Sequence, residues 1–159
     1  MTGQRDAQKK RVYAWEDRVV APADRSTLPF SAAQGMVDAI WSELGLRYPP
    51  KVEPLPRQAR RLQADGSRLR LRLPETVPGW LLLHELAHAL SSDQDGASDG
   101  HGPDFMGLYV QLLGRYLRLP PADLVRSARA AGLAVHTEAR PMFLDVTPRT
   151  EPASASPGR

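Results

Sequence analysis

Hydrophobic residues return every three or four positions in the segment after residue 30. The repeat consists of Ala33, Val37, Ile40 and Leu44. A stripe with this spacing lies on one face of a helix, so it predicts a helix with one buried side. Ser31 with Gln34 matches a capping box at the helix start, and Gly45 is suited to end the helix.

Three further segments carry helix signals. Residues 76–91 place a proline in the first turn and continue with apolar residues around Trp80. The segment that starts at Pro103 repeats apolar side chains at helical spacing, namely Phe105, Leu108, Leu112 and Tyr116. A shorter helix is predicted to open at residues 120–123 and to end at Gly132.

The clearest strand signal is the alternation of arginine and leucine over residues 67–73. A period of two puts the arginines on one face and the leucines on the other. Asp65-Gly66 is a two-residue hairpin signal, so residues 60–64 are the expected antiparallel partner. β-Branched and aromatic residues also favour a strand over 12–20, and residues 133–136 are either a last strand or extended chain.

Together these elements predict an α+β fold with a small antiparallel sheet packed against helices. The 159 residues fit one domain, which we assign to residues 11–146 between flexible tails at 1–10 and 147–159. There is no cysteine, so disulfides and thiolate metal sites are excluded. The polar N-terminus lacks a secretory pattern and no segment could span a bilayer, so a cytoplasmic protein is expected.

Arginine carries nearly all of the positive charge behind the net +3, since Lys9, Lys10 and Lys51 are the only lysines. A GC-rich genome explains this bias more readily than nucleic-acid binding, which makes nucleic acid a doubtful partner. The arginines of the alternating strand have two interpretations. A solvated outer face is favoured over a sheet edge that pairs with an extended peptide.

The string His84-Glu85-Leu86-Ala87-His88 carries the chemistry of the chain. Histidines four residues apart on a helix lie one above the other, so both imidazoles can reach one metal ion. Glu85 is off that line and is placed to accept the proton of a water bound to the ion. Two histidines and a carboxylate among leucines are costly to bury without a partner. The sequence therefore predicts a zinc-dependent hydrolase with Glu85 as general base.

A catalytic zinc site takes three ligands from protein, so a third ligand must follow. His101 is favoured, because imidazole suits zinc and the flanking glycines permit a close approach. The competing ligands are all aspartates: Asp93, Asp95, Asp99 and Asp104. Asp104 is more typical of the first turn of a helix, or of a hydrogen bond to a ligand histidine. The spacing of these aspartates also weakly resembles a calcium-binding loop. An ordinary solvated loop is the favoured interpretation of the segment.

The HExxH string, followed by Gly100-His101-Gly102 and Phe105, resembles the SprT-like group of zincin metallopeptidases, and most of all the small HExxH metallohydrolases of actinobacteria. The resemblance covers residues 80–116. It implies a minimal zincin-like core, one Zn2+ held by His84, His88 and His101, Glu85 as base, and a peptide or protein substrate. It also implies DNA-linked proteolysis, but relatives with that activity commonly add a cysteine-built zinc ribbon, which this chain lacks.

Two other functions stay open. One family of metal-dependent ribonucleases also places histidines four apart on a helix, but its third histidine comes where this chain has Gln94. A non-catalytic zinc-binding interaction protein would not need Glu85 and would normally close all four metal positions. Tyr109, Tyr116 and His136 are candidate hydrogen-bond donors to a transition state, although core or surface roles are more typical of each.

Overall fold

The computed structural model describes residues 2–56, 64–93 and 95–142, with side chains from residue 8 onward. Within these residues the chain forms five α-helices: α1 (Thr2–Trp15), α2 (Phe30–Glu43), α3 (Gly79–Leu90), α4 (Pro103–Tyr116) and α5 (Pro121–Ala130). A π-helical turn, Glu16–Val20, and a 3-10 turn, Ala21–Ala23, follow α1 directly. None of the described helices combines the length and the apolar composition that crossing a membrane requires.

Five short strands lie between the helices: β1 (Thr27–Pro29), β2 (Lys51–Pro54), β3 (Asp65–Gly66), β4 (Arg70–Leu73) and β5 (Thr76–Pro78). β1 and β5 form an antiparallel ribbon, and a second sheet has the order β2-β4-β3. β3 runs antiparallel to β4, whereas β2 runs parallel to it. The α+β class is therefore confirmed, with two of the three strand pairings antiparallel.

α3 is the central element of the fold. It contacts α4 and the strands β3, β4 and β5. The sheet contributes Leu71 and Leu73 to the core, and neither is exposed at all. Because α3 is packed from several directions, its polar side chains lie in surroundings that exclude most water.

The strand predicted over residues 12–20 is wrong, because these residues are helical. Val12, Trp15 and Val20 are fully buried, and Glu16 is almost so. Positions 12, 15, 16 and 20 follow the spacing of a helix face, which the β-branched and aromatic composition of the segment obscured.

The N-terminal segment contains helical residues ahead of position 12. Residues 2–10, predicted as a flexible tail, form the first part of α1. The end of α1 is held by Trp15, whose indole N–H donates to the Ser127 hydroxyl of α5 at 2.9 Å. The predicted tail at 147–159 lies outside the described residues.

The hairpin turn lies further along the chain than predicted. Asp65 and Gly66 are not its turn but form β3, paired with β4. The chain reverses over the next four residues, where the Ser67 N–H donates to the Arg70 carbonyl at 2.9 Å. Of the predicted partner strand, residues 60–63 lie outside the described residues.

The arginine–leucine alternation holds within β4 and inverts before it. Leu71 and Leu73 are buried as predicted, but Arg68 is buried and Leu69 is exposed. Arg68 belongs to the turn, and its guanidinium lies 4.9 Å from the centre of the Trp41 ring. The predicted solvated face of three arginines is therefore wrong at Arg68.

α2 follows its predicted stripe but not its predicted cap. The helix begins after Pro29 without a side-chain cap, so the capping box of Ser31 and Gln34 is wrong. Gln34 instead joins α2 to β2, because its amide oxygen accepts from the Val52 N–H at 2.7 Å. Gly45, just past the helix end, has a φ of 76°, as its predicted role requires.

The remaining helices agree with their predicted positions apart from the start of α3. Residues Thr76–Pro78 form β5, and α3 begins directly after them. Its first turn is capped by Asp24, whose Oδ2 accepts from the Trp80 N–H at 2.9 Å. α4 begins at Pro103 as predicted, and Gly132 follows α5 with a φ of 85°.

The chain after α5 crosses α4 as an extended segment. Of the two predicted alternatives for residues 133–136, extended chain is the one observed. The His136 N–H donates to the Pro103 carbonyl at 3.0 Å. A side chain at Gly107 would clash with the His136 carbonyl oxygen, so this glycine allows the segment to lie against α4.

Candidate metal centre

Two histidines of the centre are carried by α3. His84 and His88 lie one turn apart, with ring centroids separated by 5.0 Å. The helix is buried over most of its circumference through Leu82, Leu83, Leu86, Ala87, Ala89 and Leu90. A helix that is apolar all round belongs to a core. His84 and Glu85 are 2% and 4% exposed as residues, so their polar side chains need partners.

The segment between α3 and α4 turns back and brings His101 to the same place. The reversal contains a bridge between Ser92 and Ser98, and Gly100 with a φ of 65°. The Nε2 atoms of His88 and His101 are 3.2 Å apart, and one ring nitrogen of each histidine lies within 4.8 Å of the others. Two nitrogens on one tetrahedral zinc would be about 3.3 Å apart. The predicted triad is thus brought together in a spacing that suits a metal ion.

Two of the competing aspartates accept hydrogen bonds from backbone N–H groups. Asp93 accepts from the backbone of its own loop, at Asp95 and Ala97. Asp99 accepts from the N–H groups of Asp104 and Phe105, and so caps the start of α4. Within the described part of the chain, the three histidines form the single group of metal-binding side chains close enough to share an ion.

Phe105 forms the apolar wall behind the three imidazoles. Its ring is fully buried, with centroids 4.4 Å from His88 and 5.0 Å from both His84 and His101. Such distances are those of aromatic side chains in direct contact. The first turn of α4 therefore limits how far each histidine ring can move.

Burial controls the protonation of the histidines. It lowers the pKa of His88 well below the ordinary value, and it lowers the pKa of His101 to about 3. Burial also acts to lower the pKa of His84, but the carboxylates of Glu16 and Glu85 outweigh it and leave that pKa raised. At neutral pH, His88 and His101 are thus uncharged and able to offer a lone pair to a metal ion.

A carboxylate that the sequence analysis did not identify contacts the first histidine. Oε2 of Glu16 lies 2.5 Å from Nδ1 of His84 and accepts a hydrogen bond of 2.5 Å from the Tyr109 hydroxyl. Glu16 is 68 positions from His84, and no local motif surrounds it. The only available signal was the helical spacing of its apolar neighbours.

Glu85 lies beside the triad and lines the same cavity. Burial raises the pKa of Glu85 to about 7, although the electrostatic influence of the neighbouring His84 lowers it in part. A base is most effective when its pKa is near the working pH. A side chain at Gly66 would clash with the backbone carbonyl of Glu85, so this glycine lets β3 pack directly on α3.

The cavity has a volume of 1020 Å³ and is bounded on one side by α1. Lys9, Lys10 and Tyr13 of that helix line it. The Tyr13 ring stacks on His84, with centroids 5.9 Å apart, and meets His101 edge-on at 5.4 Å. Burial, reinforced by the charges of Glu85 and Glu16, raises the pKa of Tyr13 to about 12. Its hydroxyl thus stays protonated at neutral pH and can donate a hydrogen bond.

The three candidate donors of the sequence analysis have other partners. Tyr109 donates to Glu16, and Tyr116 donates to Glu43 at 2.6 Å. His136 lies 2.8 Å from Asp104 through its Nδ1 atom, on the surface. Asp104 is in the first turn of α4, as predicted, but its contact is with this surface histidine and not with the triad.

Comparison of the chain with protein-family models, with curated proteins and with solved structures found no match.

Proposed function

We propose that the protein is a zinc-dependent metallohydrolase, specifically a metallopeptidase of the SprT-like zincin type. The observation that carries this proposal is the convergence of His84, His88 and His101 beside Glu85 in one cavity. Three imidazoles with a neighbouring carboxylate of raised pKa form the donor set of a hydrolytic zinc site.

The residues present fit a zinc ion. The 3.2 Å between the Nε2 atoms of His88 and His101 suits two ligands of one tetrahedral ion. Neutral imidazoles are ligands that zinc prefers, and His88 and His101 resist protonation. Three protein ligands leave a fourth position for water or substrate, as in catalytic rather than structural sites.

The chemistry follows from the position of Glu85. A zinc ion, when bound, would lower the pKa of a coordinated water from about 15.7 to about 7. Glu85 accepts a proton from the attacking water as the oxygen of that water adds to the carbonyl carbon of the substrate. Glu85 then donates this proton to the amine nitrogen as the carbon–nitrogen bond breaks. Tyr13 can donate its hydroxyl hydrogen to the carbonyl oxygen, on which negative charge develops.

A peptide is a better substrate than a nucleic acid for this surface. β4 lies between β2 and β3, so its arginine-bearing strand is not an edge that could pair with a peptide. Among the strands that the structure describes, β3 is at the edge of that sheet, and it lines the cavity, where an extended peptide could align. Arg70 and Arg72 face the carboxylates of Glu53 and Asp65, so β4 is not a continuous cationic surface.

The test combines metal analysis with a cleavage assay. Protein purified without a histidine tag should contain one zinc per chain and should cleave members of a peptide library. Glu85→Gln should keep the zinc and the fold but lose cleavage, because an amide cannot accept the proton. Glu138→Gln is the matched control, since Glu138 is exposed and outside the cavity lining.

Two results would contradict the proposal. Near-wild-type cleavage by Glu85→Gln would remove Glu85 as the base. Zinc-loaded protein that cleaves RNA but no peptide would instead identify a metal-dependent ribonuclease.

A further inference from the structure

One carboxylate oxygen of Glu16 contacts two buried side chains. Its Oε2 lies 2.5 Å from Nδ1 of His84 and 2.5 Å from the hydroxyl oxygen of Tyr109. All three residues are almost fully buried, with Glu16 3% exposed, His84 2% exposed and Tyr109 0% exposed. Hydrogen bonds to an ionised acceptor are short and strong, so this contact fixes the three groups relative to one another.

This contact decides which nitrogen of His84 a metal ion can use. Nδ1 faces the carboxylate, so it carries a hydrogen and donates it to Glu16. The lone pair of the imidazole then belongs to Nε2. His88 and His101 also bring their Nε2 atoms together, so the three rings present the same kind of atom.

Three separate elements supply this network. Glu16 opens the π-helical turn after α1, His84 comes from α3, and Tyr109 comes from α4. π-Helical turns are rare and occur frequently at functional sites. Trp15, the residue before the turn, meets the Tyr109 ring edge-on at 6.2 Å and is anchored to Ser127. The position of Glu16 is therefore restrained by the packing of the residue before it.

We propose that Glu16 is a positioning residue of the metal centre, which accepts the Nδ1 hydrogen of His84, directs Nε2 toward the ion and is itself held by Tyr109. This inference rests on the proposed zinc site. It makes the N-terminal segment a working part of that site. A carboxylate behind a ligand histidine fixes the orientation of the ring and raises its basicity.

The first test is zinc affinity, measured by competition with a chromogenic chelator. Glu16→Gln should weaken zinc binding about 10–100-fold, the usual effect of losing such a partner. Asp17→Asn is the matched control, because it removes the same charge from an adjacent, exposed carboxylate that lines the same cavity. Its zinc affinity should equal that of the wild type. Tyr109→Phe keeps the Glu16–His84 contact and should cost less affinity than Glu16→Gln.

The second test measures which nitrogen of the His84 ring carries a hydrogen. It uses the wild-type protein, so it does not require any variant to fold. 15N spectra of the zinc-loaded wild-type protein should show His84 coordinated through Nε2, with a hydrogen on Nδ1. Circular dichroism of each variant without zinc separates loss of fold from loss of affinity.

Three outcomes have distinct meanings. Coordination through Nδ1 of His84 would overturn the role of Glu16. A folded Glu16→Gln variant with wild-type zinc affinity would overturn it as well, while leaving the zinc site intact. A wild-type protein that binds no zinc would overturn the proposed function itself.

Discussion

Phe105→Ala should weaken both the fold and the metal centre. Phe105 is fully buried and its ring touches all three histidines at centroid distances of 4.4 to 5.0 Å. Replacing a buried phenylalanine by alanine typically costs about 3–5 kcal/mol. A domain of this kind has about 5–15 kcal/mol of total stability, so the variant should fold but with a much reduced margin.

The loss of stability in Phe105→Ala has a part that depends on zinc, which can be measured separately from the part that comes from packing. If zinc binds as proposed, zinc at about one hundred times its dissociation constant would stabilise the folded protein by about 2.7 kcal/mol. The contact of Phe105 with each imidazole is of the order of 0.5–1.5 kcal/mol. Because the variant removes the wall that restrains the rings, zinc should stabilise Phe105→Ala by less than it stabilises the wild type.

The assay is urea unfolding followed by circular dichroism, once with zinc and once with a chelator. Phe30→Ala is the matched control, because Phe30 is only partly buried and belongs to α2. It should lose less stability, and its gain from zinc should match that of the wild type. A loss below about 1 kcal/mol at Phe105, which is far under the usual core cost, would refute the packing argument. An unchanged gain from zinc would refute the coupling to the histidines.

Two further predictions concern individual side chains of the centre. His101→Ala should abolish stoichiometric zinc in metal analysis, and zinc retained at unchanged affinity would point to another third ligand, such as an aspartate of the loop. Tyr13→Phe keeps the ring that stacks on His84 but removes the hydroxyl, so kcat should fall by about 10²–10³-fold, the typical cost of losing such a donor, with zinc content unchanged. Equal kcat values for the two proteins would exclude Tyr13 from the reaction.

The parts of the site that lie close together in sequence could be predicted from it. His84 and His88 share a helix face, and His101 follows after a glycine-containing reversal. Both features depend on helix geometry and on local chain flexibility. The helices α3, α4 and α5 were predictable for the same reason, since each combines an apolar stripe with a recognisable beginning or end.

The parts that depend on distant contacts could not be predicted. Glu16 and Tyr13 reach the cavity only because α1 docks beside α3, and nothing in their own neighbourhood indicates this. The composition of residues 12–20 favours a strand. The segment is nevertheless helical, because a helix lets Trp15 pack against α4 and α5. The Asp-Gly pair indicates a turn at Gly66, but the small size of this glycine is needed for contact with the backbone of α3.

The unequal sequence distances within the centre imply an order of assembly. His88 and His101 are 13 positions apart, whereas Glu16 and His84 are 68 apart. Closing the longer loop costs about 1.5 kcal/mol more free energy than closing the shorter one, because the entropic cost rises with the logarithm of loop length. We therefore expect the α3–α4 pair to bring its histidines together early in folding and α1 to dock afterwards. Zinc present during refolding should then speed formation of the α3–α4 pair more than docking of the N-terminal helix.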